Sequence, residues 1–177
     1  MWRIGLVLLL VPLSGCGDDR LRVSGREVRG PGFRITIPAG YERQPAKARG
    51  HHRVVRLVGP SGQFEAPTIT HSEVGPTHAL SEAECQHAGK DQQKVAGIAA
   101  TMGARASSVN APALTDGGVL GSVCGFTVED RARVKVVRRF FLKHQGWTVW
   151  CEADEREEAE TLCDVYLGSA AKPGRPD

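Results

Sequence analysis

Residues 119–168 read VLGSVCGFTVEDRARVKVVRRFFLKHQGWTVWCEADEREEAETLCDVYLG. Three apolar-patterned runs, 119–128, 132–143 and 147–153, are separated by Glu129-Asp130 and by His144-Gln145-Gly146. Short polar breaks between such runs are turn chemistry, so the stretch predicts a three-stranded antiparallel meander. A helix is expected next, with Asp154 as its cap and Glu157 in its first turn. Ala159, Leu162, Cys163 and Tyr166 recur at i, i+3, i+4 and i+7, one apolar stripe, and Gly168 ends it. Strands followed by a helix folding back on them give the α+β class.

The rest of the chain fits that class. Phe33, Ile35 and Ile37 alternate on one strand face before the turn Pro38-Ala39-Gly40-Tyr41. Residues 54–58 (VVRLV) and 66–74 (APTITHSEV) read as two further strands. Gly59-Pro60-Ser61-Gly62 is a turn; it lacks the Lys-Ser/Thr of a phosphate loop. Residues 77–102 form the longest helical pattern. Ser81 with Glu84 makes a capping box, and Gly103 suits the position just past the C-terminus. Its expected buried side is Leu80, Ala83, Ala88, Val95, Ile98, Ala99 and Met102. Residues 104–118 read as loop.

The Phe33-x-Ile35-x-Ile37-Pro38-x-Gly40-Tyr41 opening resembles that of the PsbP-like superfamily, which also takes in the Ran-binding MOG proteins and many bacterial lipoproteins. Gly146-Trp147-Thr148-Val149 and Leu167-Gly168-Ser169 resemble that family's aromatic-rich strand and its terminal helix ending in Ser. The resemblance covers residues 31–169. It implies an antiparallel sheet with helices packed on it in an α/β/α sandwich, and a protein that binds or supports others rather than catalysing. The cysteines are a departure from it.

The leader is distinctive. Residues 1–16, MWRIGLVLLLVPLSGC, place Arg3 before an apolar run over 4–11. That run is too short for a membrane span, which needs roughly 20 residues, and suits a secretory signal. Leu13-Ser14-Gly15-Cys16 resembles a bacterial lipobox, in which the cysteine thiol is acylated and becomes the mature N-terminus. An ordinary secretory signal with an incidental cysteine is the rival. The expected organisation is a signal peptide over 1–15, the acylated Cys16 with a flexible tether over 16–30, a single domain over 31–169 and a disordered tail over 170–177. Acyl chains anchor without spanning. The expected location is the bacterial cell envelope, on the periplasmic side of the inner or outer membrane or at the cell surface.

Charge excludes one class of partner. The chain has 23 Lys+Arg against 20 Asp+Glu, and the leader holds only Arg3, leaving +2. That balance does not favour nucleic acid. Four cysteines remain after Cys16, and an oxidising compartment favours disulfides. Their spacings of 39, 27 and 12 contain no C-x-x-C pair, which counts against zinc. Cys151 shares a strand face with Trp147 and Val149, and Cys163 lies on the following helix's stripe, so Cys151–Cys163 and Cys85–Cys124 are the expected pairs. Cys124–Cys151 is the rival if their strands are neighbours.

Two functional constellations are visible. On the strand 132–143, Arg131, Arg133, Lys135, Arg139 and Lys143 project to one side, with Arg138 the exception on the other. Such a row suits an anionic partner: an acidic protein, a glycan or a lipid head group. Balance by Glu129, Asp130 and Glu152 is the alternative. Six histidines are the candidate bases or ligands. His51, His52 and His144 read as solvated, whereas His71, His78 and His87 could ligate a metal if strand and helix converge. No G-x-S-x-G or H-E-x-x-H occurs. The favoured function is a non-catalytic binding or assembly lipoprotein without a cofactor. The alternative is an envelope hydrolase or metal-binding protein using those three histidines.

Overall fold

Strand pairing is antiparallel throughout the computed structural model, which describes residues 21–44, 53–60, 66–76, 80–101, 107–129 and 133–173. A three-stranded sheet comes first: β1 (Arg22–Ser24), β2 (Glu27–Gly30) and β3 (Phe33–Thr36). The larger sheet takes β4 (Glu42–Gln44), β5 (Val54–Val58), β6 (Thr68–Pro76), β7 (Ser108–Val109), β8 (Ala113–Asp116), β9 (Ser122–Glu129), β10 (Val134–Leu142) and β11 (Gln145–Ala153). Its order is β4-β5-β6-β11-β10-β9-β7, with β8 also on β9. The helices are α1 (Glu82–Thr101) and α2 (Arg156–Gly168). This is a sheet-dominated α+β fold, and β9, β10 and β11 form the expected meander.

Register divides the large sheet into two faces, because successive side chains alternate. Val136, Phe140, Trp147, Val149 and Cys151 face one way. There they meet α2 through Ala159, Leu162, Cys163 and Tyr166, and the small sheet through Val28, Phe33 and Ile35. Cys124, Phe126 and Val137 face the other way and meet Cys85 and Ala88 of α1. Helix α1 lies against β7, β8 and β9, at one end of that face. Gly30 stands opposite Phe33 in the β2–β3 register, and a Cβ there would overlap the Phe33 ring. Glycine at 30 is what lets that ring turn inward.

Several expectations need correction. Within the expected tether, residues 22–30 form β1 and β2, with Leu21 and Val28 buried. Ala170 and Ala171 belong to the fold rather than to a disordered tail, because Ala171 exchanges backbone hydrogen bonds of 2.9 Å with Arg34 and Ala170 packs on the core. β7 and β8 lie in the stretch read as loop, and β4 follows directly on the expected turn at 38–41. Helix α2 is capped at Glu155, without a side-chain bond, because Asp154 turns to Arg133 at 3.7 Å. The hairpin turn is Lys143-His144, both at positive φ (54° and 62°), so Gln145 and Gly146 belong to β11. The capping box forms as expected: Ser81 N–H donates to Glu84 Oε2 at 2.7 Å and Glu84 N–H to Ser81 Oγ at 3.2 Å. Cys16, Gly103 and the last four residues lie outside the described residues.

Candidate functional site

The basic face of β10 was the candidate for partner binding, and its geometry is mixed. Lys135 and Arg139 project from the α1 side of the sheet, as their odd numbering in β10 requires, and Arg133 immediately precedes that strand. Lys135 stands opposite Glu152 on β11 and pairs with it at 2.6 Å. Arg133 donates from Nη2 to the carbonyls of Ala66 (3.1 Å) and Glu152 (3.3 Å), beside Asp154. These contacts hold strand ends together, so Arg133 is a structural cation. Arg139 differs. Its guanidinium carbon lies 5.7 Å from the Phe126 ring centroid. Its Nε is buried without a hydrogen-bond partner. Burial lowers its pKa from the ordinary value, against the attraction of Asp91 on α1. Arg138 points to the opposite face, 3.8 Å from Asp164 of α2. Lys143 sits in the turn rather than in the row. Arg131 lies outside the described residues.

The row of like charges is therefore interrupted. Glu152 and Asp154, supplied by the neighbouring strand and its end, answer two of its members. An exposed pair such as Lys135–Glu152 contributes about 0–1 kcal/mol, so it can exchange partners at small cost.

The histidines do not converge. His71 is fully buried on the α2 side of β6. Its ring lies 5.5 Å from Phe33 in a stacked arrangement, and edge-on to Phe140 and Trp147 at 5.9 Å. Nδ1 lies 3.1 Å from the Tyr166 hydroxyl. Burial in this apolar box pushes its pKa down to about 3, so the ring is neutral. His87 lies on the exposed side of α1, with Nε2 3.2 Å from Asp91. His144 packs edge-on against Phe141 at 6.3 Å. Among the described residues no three His, Cys, Asp or Glu side chains are grouped to hold a metal ion. His51, His52 and His78 lie outside the described residues. The proposed convergence of His71 and His87 is corrected by topology: β6 turns His71 towards α2, while α1 packs on the other face.

The cysteines are paired as expected, Cys85 with Cys124 and Cys151 with Cys163, at Cα separations of 5.5 and 5.6 Å. The rival Cys124–Cys151 pair is prevented twice over. β10 lies between their strands, and the two side chains point to opposite faces. No helix among the described residues is long and apolar enough to cross a membrane.

No family model and no curated protein matches the chain. Among solved structures it is similar to the solution structure of cyanobacterial PsbP (CyanoP) from Synechocystis sp. PCC 6803. The TM-score is 0.57 and the identity 16%, over 92% of this chain and 100% of that one. At that identity the likeness shows a PsbP-like fold.

Proposed function

We propose that this chain is a lipid-anchored envelope protein whose PsbP-like domain binds or helps assemble other components and catalyses no reaction. The observation that carries the non-catalytic reading is the position of His71. His71, one of the three histidines that sequence offered as ligands, is sealed among Phe33, Phe140, Trp147 and Tyr166, where it serves packing. The likeness to CyanoP supports an accessory role by analogy of fold. With α1 and α2 on opposite faces, we read the layers as an α/β/α sandwich. The order of Arg3, apolar run, Ser14-Gly15 and Cys16 supports a diacyl anchor at Cys16, facing the periplasm or the cell surface.

The α1-side face of β10 is the proposed contact for an anionic partner, whether acidic protein, glycan or lipid head group. Arg139 is its centre, since its charge is half-buried over Phe126 with Nε unpartnered. Lys135 joins by exchanging Glu152 for the partner.

Mass spectrometry of the protein purified from its own membranes tests both halves. Denatured, the mature chain is expected to begin at Cys16 and carry acyl mass; an unmodified N-terminus downstream of residue 16 would sink the anchor. Sprayed natively, the chain is expected at its covalent mass, and a stoichiometric metal would overturn the non-catalytic reading.

A further inference from the structure

Beside the first turns of α2, on its flank away from β10, lies an open groove of about 450 Å³. Its floor is apolar. Val165 is 57% exposed, Leu162 lies beside it at the core's edge, and Tyr41 stands opposite. Tyr41 is held from behind: a Cβ on Gly59 would come within 2.8 Å of its ring. Glu155, Glu157, Glu158 and Thr161 also line the groove. Among the described residues no Lys, Arg or His lines it. Arg156, the cation of that helical turn, is committed to Glu129 on β9. Burial, and secondarily Glu158, push the Tyr41 hydroxyl up to about 12, so it remains a neutral phenol.

Part of this charge has an ordinary role. A helix N-terminus carries about half a positive charge and favours nearby carboxylates. That half charge offsets less than one of three. Val165 has no such role: it lies off the buried stripe of α2, and exposing it gains the fold nothing. An apolar floor with an acidic rim complements one kind of side chain, a long alkyl stem ending in a cation. Lys and Arg lay such stems on apolar surface while the charge stays in water. A cation over the Tyr41 ring adds attraction of about 0.5–1 kcal/mol at an exposed site.

We propose that this groove binds a cationic segment of a protein partner, in extended conformation, with Arg or Lys next to an apolar residue. The aliphatic stem and apolar neighbour would lie on Leu162 and Val165, and the cation between Tyr41 and the carboxylates of Glu155 and Glu158. This goes beyond the anionic partner proposed for β10 and does not depend on it.

The test uses the full mature chain in detergent micelles and a fluorescent probe peptide, Ac-Arg-Leu-Arg-Leu-Arg-amide, followed by anisotropy. Saturable binding is expected. Glu155→Gln with Glu158→Gln should weaken it about tenfold, the scale of a lost charge-assisted contact, and Val165→Ser several-fold. Lys90→Gln, on α1 at the opposite face of the sheet, should leave it unchanged. All are surface substitutions, and thermal unfolding checks that the domain stays folded. Absence of binding up to about 1 mM, where about 4 kcal/mol of affinity would already register, overturns the proposal. So does binding that the glutamine variants retain. Equal affinity for trilysine would reduce the groove to simple charge attraction and likewise overturn it. Self-association abolished by Val165→Asp, with no peptide binding, would assign the groove to a second copy instead.

Discussion

Helix α2 buries Ala159, Leu162, Cys163 and Tyr166 on one face of the large sheet, whereas the longer helix α1 buries Cys85 and Ala88 on the other. The first face is doubly covered, by α2 and by the small sheet, and holds the aromatic box around His71. The second is covered at one end by a helix whose Val95 and Ile98 are 58% and 61% exposed. Apolar burial holds the first layer; the Cys85–Cys124 bond does much of that work for the second. A helix on a small contact needs a tether, and a covalent one costs no apolar surface. The comparison can be broken in order of expected effect.

Phe33 is the sharpest probe of the first face. Truncating a buried aromatic typically costs 3–5 kcal/mol, and Phe33→Ala should lie in that range by urea unfolding. Val95→Ala and Ile98→Ala, both exposed, should each cost less than about 0.5 kcal/mol. If Phe33→Ala costs no more than Ile98→Ala, the two faces are not different in kind.

The disulfides come next. In the chain-entropy view, a bond between residues 39 apart is worth about 4 kcal/mol and one between residues 12 apart about 3 kcal/mol. The structural consequences should differ more than these figures. In Cys85→Ala with Cys124→Ala, hydrogen exchange should rise throughout α1 while β10 and β11 stay protected. In Cys151→Ala with Cys163→Ala, α2 should remain protected, since its apolar stripe still packs. Protection of α1 without its bond would show that packing suffices there.

How far the sequence foretold all this follows the same division. Strands β9 to β11 and the stripe of α2 were legible because their buried positions are apolar and periodic. The cysteine pairs were legible because Cys124, Cys151 and Cys163 each share a face with residues of evident burial, which leaves Cys85 for Cys124. The stripe of α1 was not. Of the positions hydropathy selects, Leu80 and Ala88 pack inward but Ala83, Val95 and Ile98 are exposed, and the other inward positions are Cys85, Gly89, Gln92 and Ala96. Close approach explains the difference: a Cβ on Gly89 would lie 2.6 Å from Pro112. The contact selects small residues rather than apolar ones, and hydropathy cannot see that. β1, β4 and β7 were hidden because strands of two or three mostly exposed residues carry no period. In the binding face, the alternation of Arg133, Lys135 and Arg139 was legible, but the answering carboxylates of Glu152 and Asp154 depend on strand register. The Glu155–Val165 groove had one visible signal, an apolar Val165 outside the stripe of its own helix.

His71 links the covered face to pH. Its ordinary pKa of 6.5 falls to about 3 on burial. The unfolded chain therefore takes up the proton first as pH falls. Stability from this group is complete above 6.5 and declines from there towards 3, by about 1.4 kcal/mol for each pH unit. His71→Gln keeps a hydrogen-bonding group beside Tyr166 and cannot titrate. Between about pH 6 and 4, wild-type stability should fall more steeply than the variant's by the equivalent of one proton. Parallel curves would mean that solvent reaches His71 in the folded state, and the first face would not be sealed.

The smallest effect belongs to the open face and separates two of its cations. Arg133 serves the carbonyls of Ala66 and Glu152 and lies beside Asp154, so Arg133→Gln should destabilise by about 1–3 kcal/mol. Lys135 makes an exposed pair with Glu152, and Lys135→Gln should change stability by less than about 1 kcal/mol. If this face meets anionic surfaces, Lys135→Gln should weaken co-sedimentation with phosphatidylglycerol vesicles several-fold at low salt. The difference should vanish near 1 M salt, where screening acts within about 3 Å. Because the acyl anchor would itself bind vesicles, the comparison uses the Cys16→Ser background for both proteins. Equal binding by the two at low salt removes Lys135 from the anionic contact. Loss of binding without any salt dependence would instead point to a packed interface around Arg139 and Phe126, where charge is held over an aromatic ring rather than in water.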